Sequence, residues 1–331
     1  MLGVIIIHVL RLVPDSDNNY YIYAMIDSAF RFAVPCFIGV LGYMTYIKYT
    51  EINNWMVFFK NKLLYLTFPF LIWSVLYVYS PRSFPYYQEQ PSLLKGVIYG
   101  DAEIHLYYMV AYFLFLLITP VVVFASRRFN RHLLTVMLFA GVIGHIIVLI
   151  NAEMMVREGM TDNIYFQLQF KTPIHWLSFY ATGILVAIHK ERLRRVFLSG
   201  KRFFTYTFPL LLIFYLILIL NYVANLRHLY TYYNPALYLI FVVSLLLLLI
   251  IYAYLKDSKF VRLIAFIGIN SFPIYLSHVM WIKLGSTLFK EIDVTALILV
   301  FIISILLSLV YIKLHSVFKK FTRLNLHSFG K

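Results

Sequence analysis

Apolar residues occur along this chain in long runs that are separated by short polar or basic segments. A run of about 20 apolar residues can cross a bilayer as a helix, and the pattern predicts about ten such spans. They are Met1–Val13, Ser28–Ile47, Leu63–Ser80, Leu106–Ser126, Leu133–Asn151, Ile174–His189, Phe204–Val223, Pro235–Leu255, Ala265–Phe289 and Val294–Leu314. The runs are unbroken rather than alternating, which favours an all-α, polytopic membrane helical bundle over a β-barrel.

The lengths of the runs and of the loops give two further expectations. The run at the N-terminus is too short to span a bilayer, so we expect a first helix that is truncated at Met1. None of the loops is long enough to hold a separate domain, so residues 1–331 are predicted to form a single transmembrane domain.

The charged residues divide unevenly between the two sides of these spans. With the N-terminus placed in the cytoplasm, most of the 29 lysines and arginines fall in inner loops and the C-terminal tail. Of the 14 acidic residues, only Glu51, Glu191 and Asp257 fall on that side. The positive-inside rule therefore predicts that both termini lie inside. The expected location of this multi-pass protein is the cell (plasma) membrane. Membrane topology explains the net charge of +15 better than a nucleic-acid partner does.

Composition excludes several other classes of protein. The chain is 62% hydrophobic and only 13% charged, with a mean hydropathy of +0.80, whereas a soluble domain is about one quarter charged. A single cysteine, Cys36, rules out an internal disulfide and a cysteine-based zinc site. The sequence has no Gly-x-Ser-x-Gly elbow, no Gly-x-x-x-x-Gly-Lys loop and no His-x-x-x-His pair. We therefore predict no bound metal or cofactor.

Ionisable side chains inside the predicted spans are the candidates for chemistry. They are rare because even one arginine at the centre of a membrane helix costs about 2.5–3.5 kcal/mol on insertion scales. With the orientation above, the candidates fall in the outer half of the bilayer; they are His8, Arg31, His105, His145, His175 and His278. The inner half has basic loops but almost no ionisable residue within a span.

Three of these residues have a purely structural alternative. His8 and His145 are also typical of histidines that hydrogen-bond a neighbouring helix. Arg31 is also typical of a long side chain that extends to the outer membrane surface. A neutral histidine near an arginine, however, suits general base catalysis, in which the histidine deprotonates a hydroxyl and the arginine stabilises the resulting oxyanion.

The remaining candidates are open to two interpretations as well. His105 and His175 lie at the outer ends of spans, where interfacial residues are common. His278 has more support, because Tyr275 lies three residues earlier and shares its helix face. Lys62, at an inner helix end, is either a topology anchor or a contact for a phosphate.

Five stretches of the chain resemble the membrane acyltransferase-3 family. They are Gly3–His8, Arg31–Tyr43, Lys62–Pro69, the span that runs from His105-Leu-Tyr-Tyr108 to Pro120, and Ser271–His278. The resemblance covers essentially the whole chain in the right order. Within the family the chain looks most like the branch associated with poly-N-acetylglucosamine, the intercellular-adhesion exopolysaccharide of biofilms.

The resemblance implies a ten-helix membrane O-acyltransferase. Such an enzyme moves an acetyl or succinyl group from cytoplasmic acyl-CoA, its donor substrate, to a hydroxyl of a cell-surface polysaccharide. His8 takes the place of the family's catalytic histidine, and Arg31 would orient it or stabilise the oxyanion. Lys62 stands where the family has the first of two arginines that would grip the donor. The residues that would line the acceptor or acyl-donor side are His105, Tyr108, Tyr275 and His278.

Two other classes of function stay open. The protein could export poly-N-acetylglucosamine without catalysis, which requires a continuous polar pore, although the spans from Phe204, Pro235 and Val294 are almost purely apolar. It could also be an assembly partner for a glycosyltransferase of the same pathway, in which case replacing His8 would leave acylation of the polymer unchanged.

Overall fold

Helices make up all of the regular structure in the computed structural model, which describes residues 1–13, 20–80, 91–129, 131–159, 171–224 and 236–328. Within those ranges no residue forms a β-strand, so the predicted all-α class is confirmed. The chain divides into two compact units. The first comprises Met1–Tyr23, Ser80–Glu89 and Asp257–Lys331, and the second comprises Ala24–Tyr79 and Gln90–Lys256. The prediction of a single domain stays a prediction.

In chain order the α-helices are α1 (Leu2–Leu10), α2 (Tyr20–Phe30), α3 (Ala33–Ile47), α4 (Trp55–Lys62), α5 (Phe68–Tyr79), α6 (Leu93–Ile98), α7 (Tyr107–Arg128), α8 (Arg131–Arg157), α9 (Leu177–Ile188), α10 (Lys190–Ser199), α11 (Lys201–Ala224), α12 (Ala236–Leu255), α13 (Lys259–Ile269), α14 (Ser271–Ser286) and α15 (Val294–Ser328). Short 3₁₀ helices form at Tyr49–Glu51 and Pro173–Trp176, and a π-helix forms at Leu63–Thr67.

Six helical segments among the described residues are long and apolar enough to cross a membrane, and a seventh is added if α13 and α14 are one bent span. The six are Tyr20–Glu51, Trp55–Tyr79, Tyr107–Arg128, Phe204–Asn221, Ala236–Leu255 and Val294–Leu314. The other predicted spans fall on α1 and on two shorter apolar stretches, Arg131–Ile147 and Pro173–Ile188. A multi-pass membrane protein is therefore confirmed, whereas the number of about ten spans and the orientation stay predictions.

In the first unit, α1, α13, α14 and α15 share one apolar core. Ile5 and Val9 lie one turn apart on α1, and Ile274 and Ile282 lie on one face of α14. Together with Val300 of α15 they are buried. This packing holds the two histidine-bearing helices, α1 and α14, against each other.

The predicted span Ala265–Phe289 is not one straight helix. It is broken at Asn270 into α13 and α14, whose axes differ by 83°. Pro273 explains the position of the break, because a proline cannot donate to the carbonyl four residues earlier and its ring clashes with that carbonyl. In this chain that carbonyl belongs to Ile269, the last residue of α13.

In the second unit, α3 and α9 approach each other closely. A Cβ on Gly42 would overlap the backbone carbonyl oxygen of Tyr180, and a Cβ on Gly183 would overlap that of Gly39. Small residues at a helix contact are a common means of tight packing in membranes. A second core, between α11 and α12, is formed by Tyr215, Ile219, Ile240, Val243 and Leu247.

Candidate functional site

Two buried histidines face each other in the first unit. His8 lies in the last turn of α1, and His278 lies midway along α14. Their ring centroids are 5.1 Å apart and their ring planes are inclined by 59°. The residues are 7% and 0% exposed, respectively. Tyr275, another residue singled out in the sequence, lies beside this pair, with its ring centroid 5.9 Å from that of His278.

The backbone of α14 fixes the tautomer of His278. Its Nδ1 lies 2.7 Å from the carbonyl oxygen of Tyr275. A carbonyl oxygen can only accept a hydrogen bond, so Nδ1 carries the proton and Nε2 of the neutral ring keeps its lone pair. A neutral imidazole with one unprotonated nitrogen can accept a proton, which is what a general base must do.

A buried lysine lies further along the same helix. Lys283 is 8% exposed, and its Nζ donates a hydrogen bond to Ser80 Oγ at 3.4 Å. Both residues belong to the first unit. Lys283 was not among the predicted site residues, although a lysine within a predicted span is itself a signal of function.

Arg31 lies in the break between α2 and α3, in the second unit. Its Nε donates to Oδ2 of Asp27 at 2.6 Å, four residues earlier. The arginine is only 6% exposed, so protein covers the side chain and it does not extend to a membrane surface. Asp27 was missed in the sequence, although its spacing to Arg31 places the two on one helix face. The catalytic role of Arg31 stays a prediction.

His105 and Tyr108 are buried at the start of α7. The ring of His105 meets that of Tyr77 edge-on, with centroids 5.2 Å apart. The ring centroid of Tyr108 lies 6.1 Å from that of Phe37. Their burial shows that these side chains belong to the interior of the second unit rather than to its surface.

Lys62 ends α4 in an aromatic environment. Its Nζ donates to the hydroxyl of Tyr49 at 2.8 Å and lies 5.1 Å and 5.5 Å from the ring centroids of Tyr49 and Phe58. Such cation–π contacts stabilise the ammonium group in place. The π-helix Leu63–Thr67 follows directly, and π-helical turns are frequent at functional sites.

His145 makes contacts that favour the structural alternative. Its Nδ1 accepts hydrogen bonds from the backbone N–H of Ser178 at 3.3 Å and from the Ser178 hydroxyl at 2.6 Å. Ser178 lies in the first turn of α9, where backbone N–H groups have no partner within the helix. The histidine therefore caps the N-terminus of α9 from α8. His175 is also buried, with its ring centroid 6.1 Å from that of His145.

In the part of the chain that the structure describes, no group of three or more His, Cys, Asp or Glu side chains could hold a metal ion. The roles of acyl-CoA as donor substrate and of a polysaccharide as acceptor stay predictions.

Comparison with known families identifies the family of the chain but not its branch within that family. A family model described as an acyltransferase domain, that of acyltransferase-3, matches residues 1–313. The chain belongs to the acyltransferase-3 family. No curated protein and no solved structure matched the sequence. Membership of acyltransferase-3 confirms the resemblance drawn from the motifs and makes the protein a membrane acyltransferase. The poly-N-acetylglucosamine branch stays a prediction.

Proposed function

We propose that this acyltransferase-3 protein is an O-acyltransferase that moves an acetyl or succinyl group from cytoplasmic acyl-CoA to a hydroxyl of a cell-surface polysaccharide. The observation that supports it most is the buried contact between His8 and His278 in a chain that belongs to an acyltransferase family. Acyl transfer to a hydroxyl requires a base that removes the hydroxyl proton, and a neutral histidine of this pair can supply that base.

In the proposed reaction, a ring nitrogen of His8 takes the proton of the acceptor hydroxyl. The oxygen attacks the thioester carbonyl of the donor, and the carbon–sulfur bond breaks. The proton then passes from His8 to the departing sulfur, so that the products are an O-acyl ester and free CoA. His278, whose Nδ1 is held by the Tyr275 carbonyl, is proposed to keep the His8 ring in position.

Other roles in this proposal rest on the sequence and on family membership. Lys62 is proposed to contact a phosphate of acyl-CoA, exchanging its hydrogen bond to Tyr49 for one to the donor. Arg31 is proposed to stabilise the oxyanion. His105, Tyr108 and Tyr275 are proposed to bind donor or acceptor. We place the protein in the plasma membrane with both termini inside, with poly-N-acetylglucosamine as the candidate acceptor and a glycosyltransferase of its pathway as a candidate partner.

The test is the O-acyl content of the surface polysaccharide in cells that express the wild-type protein, His8→Ala or His278→Ala. General base catalysis typically contributes about 100-fold or more to the rate. We therefore expect His8→Ala to reduce acylation by about that factor at equal protein levels. His132→Ala is the matched control, since His132 is exposed on α8. Unchanged acylation in His8→Ala would overturn the enzyme proposal and favour a role in export or assembly.

A further inference from the structure

A short basic helix, α10, joins α9 and α11 in the second unit. Its residues 190–195 include Lys190, Arg192, Arg194 and Arg195, with one acidic residue, Glu191, and all five side chains are exposed. Among the described residues, neither Arg192 nor Arg194 has a hydrogen bond or an ion pair. Arg192 and Arg194 thus present two exposed cations to the surroundings of the helix.

The opposite side of α10 is apolar. At 3.6 residues per turn, Leu193, Val196 and Phe197 lie within an arc of about 100°. Phe197 is buried and stacks on Phe204 of α11, with ring centroids 4.6 Å apart and planes inclined by 7°. Val196 is 48% exposed. A helix with one apolar stripe and a basic remainder is suited to lying along a membrane surface.

The neighbouring helices place α10 at that surface. The apolar stretch Pro173–Ile188 ends two residues before it begins, and the candidate span Phe204–Asn221 begins shortly after it ends. Only 6% of the residues of that candidate span are buried in the protein. Most of the surface of α11 is therefore open to lipid. In the predicted topology, in which both segments cross the bilayer, this ten-residue helix lies at the boundary between hydrocarbon and water.

Two arginines of a second basic segment, where α7 ends and α8 begins, donate hydrogen bonds within the protein. Arg127 donates hydrogen bonds to the carbonyl oxygens of Thr50 and Ile52, at 3.0 Å and 2.9 Å. Arg131 donates to the carbonyl oxygen of Ile188, the last residue of α9. Carbonyls at helix ends lack partners within the helix, so these arginines act as caps. The two basic segments are therefore not equivalent.

We infer that α10 binds the acidic phospholipid headgroups of the membrane in which α11 lies. The exposed cations of Arg192 and Arg194 attract the headgroup phosphates, and the apolar stripe around Val196 enters the boundary of the acyl chains. The binding depends on charge rather than on a shaped pocket. It is independent of the acyltransferase mechanism proposed above.

The test uses the purified full chain in detergent with short-chain phosphatidylglycerol or phosphatidylcholine, and measures apparent Kd by native mass spectrometry. We expect the wild-type protein to prefer phosphatidylglycerol. We expect R192Q/R194Q to weaken phosphatidylglycerol binding by about tenfold or more, with phosphatidylcholine binding unchanged. R192K/R194K should retain the preference, because lysine keeps the charge.

The matched control is K95Q/K290Q, which removes two cations from exposed sites outside α10. It should bind phosphatidylglycerol like the wild type. Equal binding by R192Q/R194Q and the wild type would overturn the inference, and so would equal weakening in the control. A loss of coenzyme A binding in R192Q/R194Q with lipid binding intact would also overturn it, since α10 would then hold the donor.

Discussion

His145 illustrates how a histidine inside a predicted span can serve the fold. Its Nδ1 accepts from both the backbone N–H and the hydroxyl of Ser178, and both residues are buried. Replacing it by alanine leaves a buried N–H of α9 without an acceptor. We expect His145→Ala to lower the free energy of unfolding by about 1–3 kcal/mol, measured by denaturant titration of the purified protein in detergent.

His132 provides the comparison for this prediction. It lies on the same helix as His145, but its side chain is exposed. We expect His132→Ala to change the free energy of unfolding by less than about 0.5 kcal/mol. Equal stability of the two variants would show that the contact between His145 and Ser178 does not stabilise α9.

The position of Lys62 predicts a specific kinetic defect. A contact to a phosphate of CoA is far from the reacting carbonyl and is made equally in the ground state and in the transition state. Its loss should raise KM for acyl-CoA and leave kcat nearly unchanged. We expect Lys62→Met to show this pattern in acyl transfer by reconstituted membranes. Lys60→Met, an exposed neighbour on α4, is the control; a fall in kcat alone in Lys62→Met would contradict the role.

At the scale of helices, the contact between α3 and α9 depends on two glycines. Any side chain on Gly183 would overlap the carbonyl oxygen of Gly39, so the helices would have to move apart. We expect Gly183→Leu to destabilise the protein by about 1–3 kcal/mol or more, measured by thermal unfolding in detergent. Gly144→Leu on α8 is the control, because a Cβ there meets no atom within 4 Å. Equal loss in both variants would refute the close-packing argument.

Three prolines show how far helix boundaries could be predicted. Pro35 and Pro273 each lie four residues after a discontinuity, which is the break at Arg31 and the end of α13, respectively. Pro69 lies two residues after the π-helix Leu63–Thr67, and the carbonyl four residues before it belongs to that helix. The physical reason is the same in each case, since proline cannot donate to the carbonyl four residues earlier. The apolar runs alone predicted an unbroken helix at each of these three places. Proline alone does not predict a break, since Pro120 and Pro209 lie inside α7 and α11.

At the scale of the whole molecule, the apolar runs and the motifs correctly predicted an all-helical, multi-pass membrane protein of the acyltransferase-3 family. The sequence predicted only that His8 and His278 lie in the same half of the bilayer. Their contact could not be predicted, because the position of a residue along a helix gives its depth in the membrane but not which helix packs beside it. The four-residue spacing of Asp27 and Arg31 was a signal in the sequence that hydropathy does not use, whereas Ser80, the partner of Lys283, lies 203 residues away along the chain. The hydropathy pattern did not predict the division of the chain into two compact units.

The number of crossings can be tested on α8. The helix Arg131–Arg157 has 27 residues, about 40 Å at 1.5 Å per residue, and a bilayer core is about 30 Å thick. If α8 spans, its two ends lie on opposite sides, and the positive-inside rule places Arg128 inside and Glu158 outside. In a Cys36→Ala background, we expect an impermeant maleimide to label Glu158→Cys on intact cells. Arg128→Cys should be labelled only after permeabilisation. Labelling of both on intact cells would show that α8 does not cross, and the prediction of about ten spans would then be wrong.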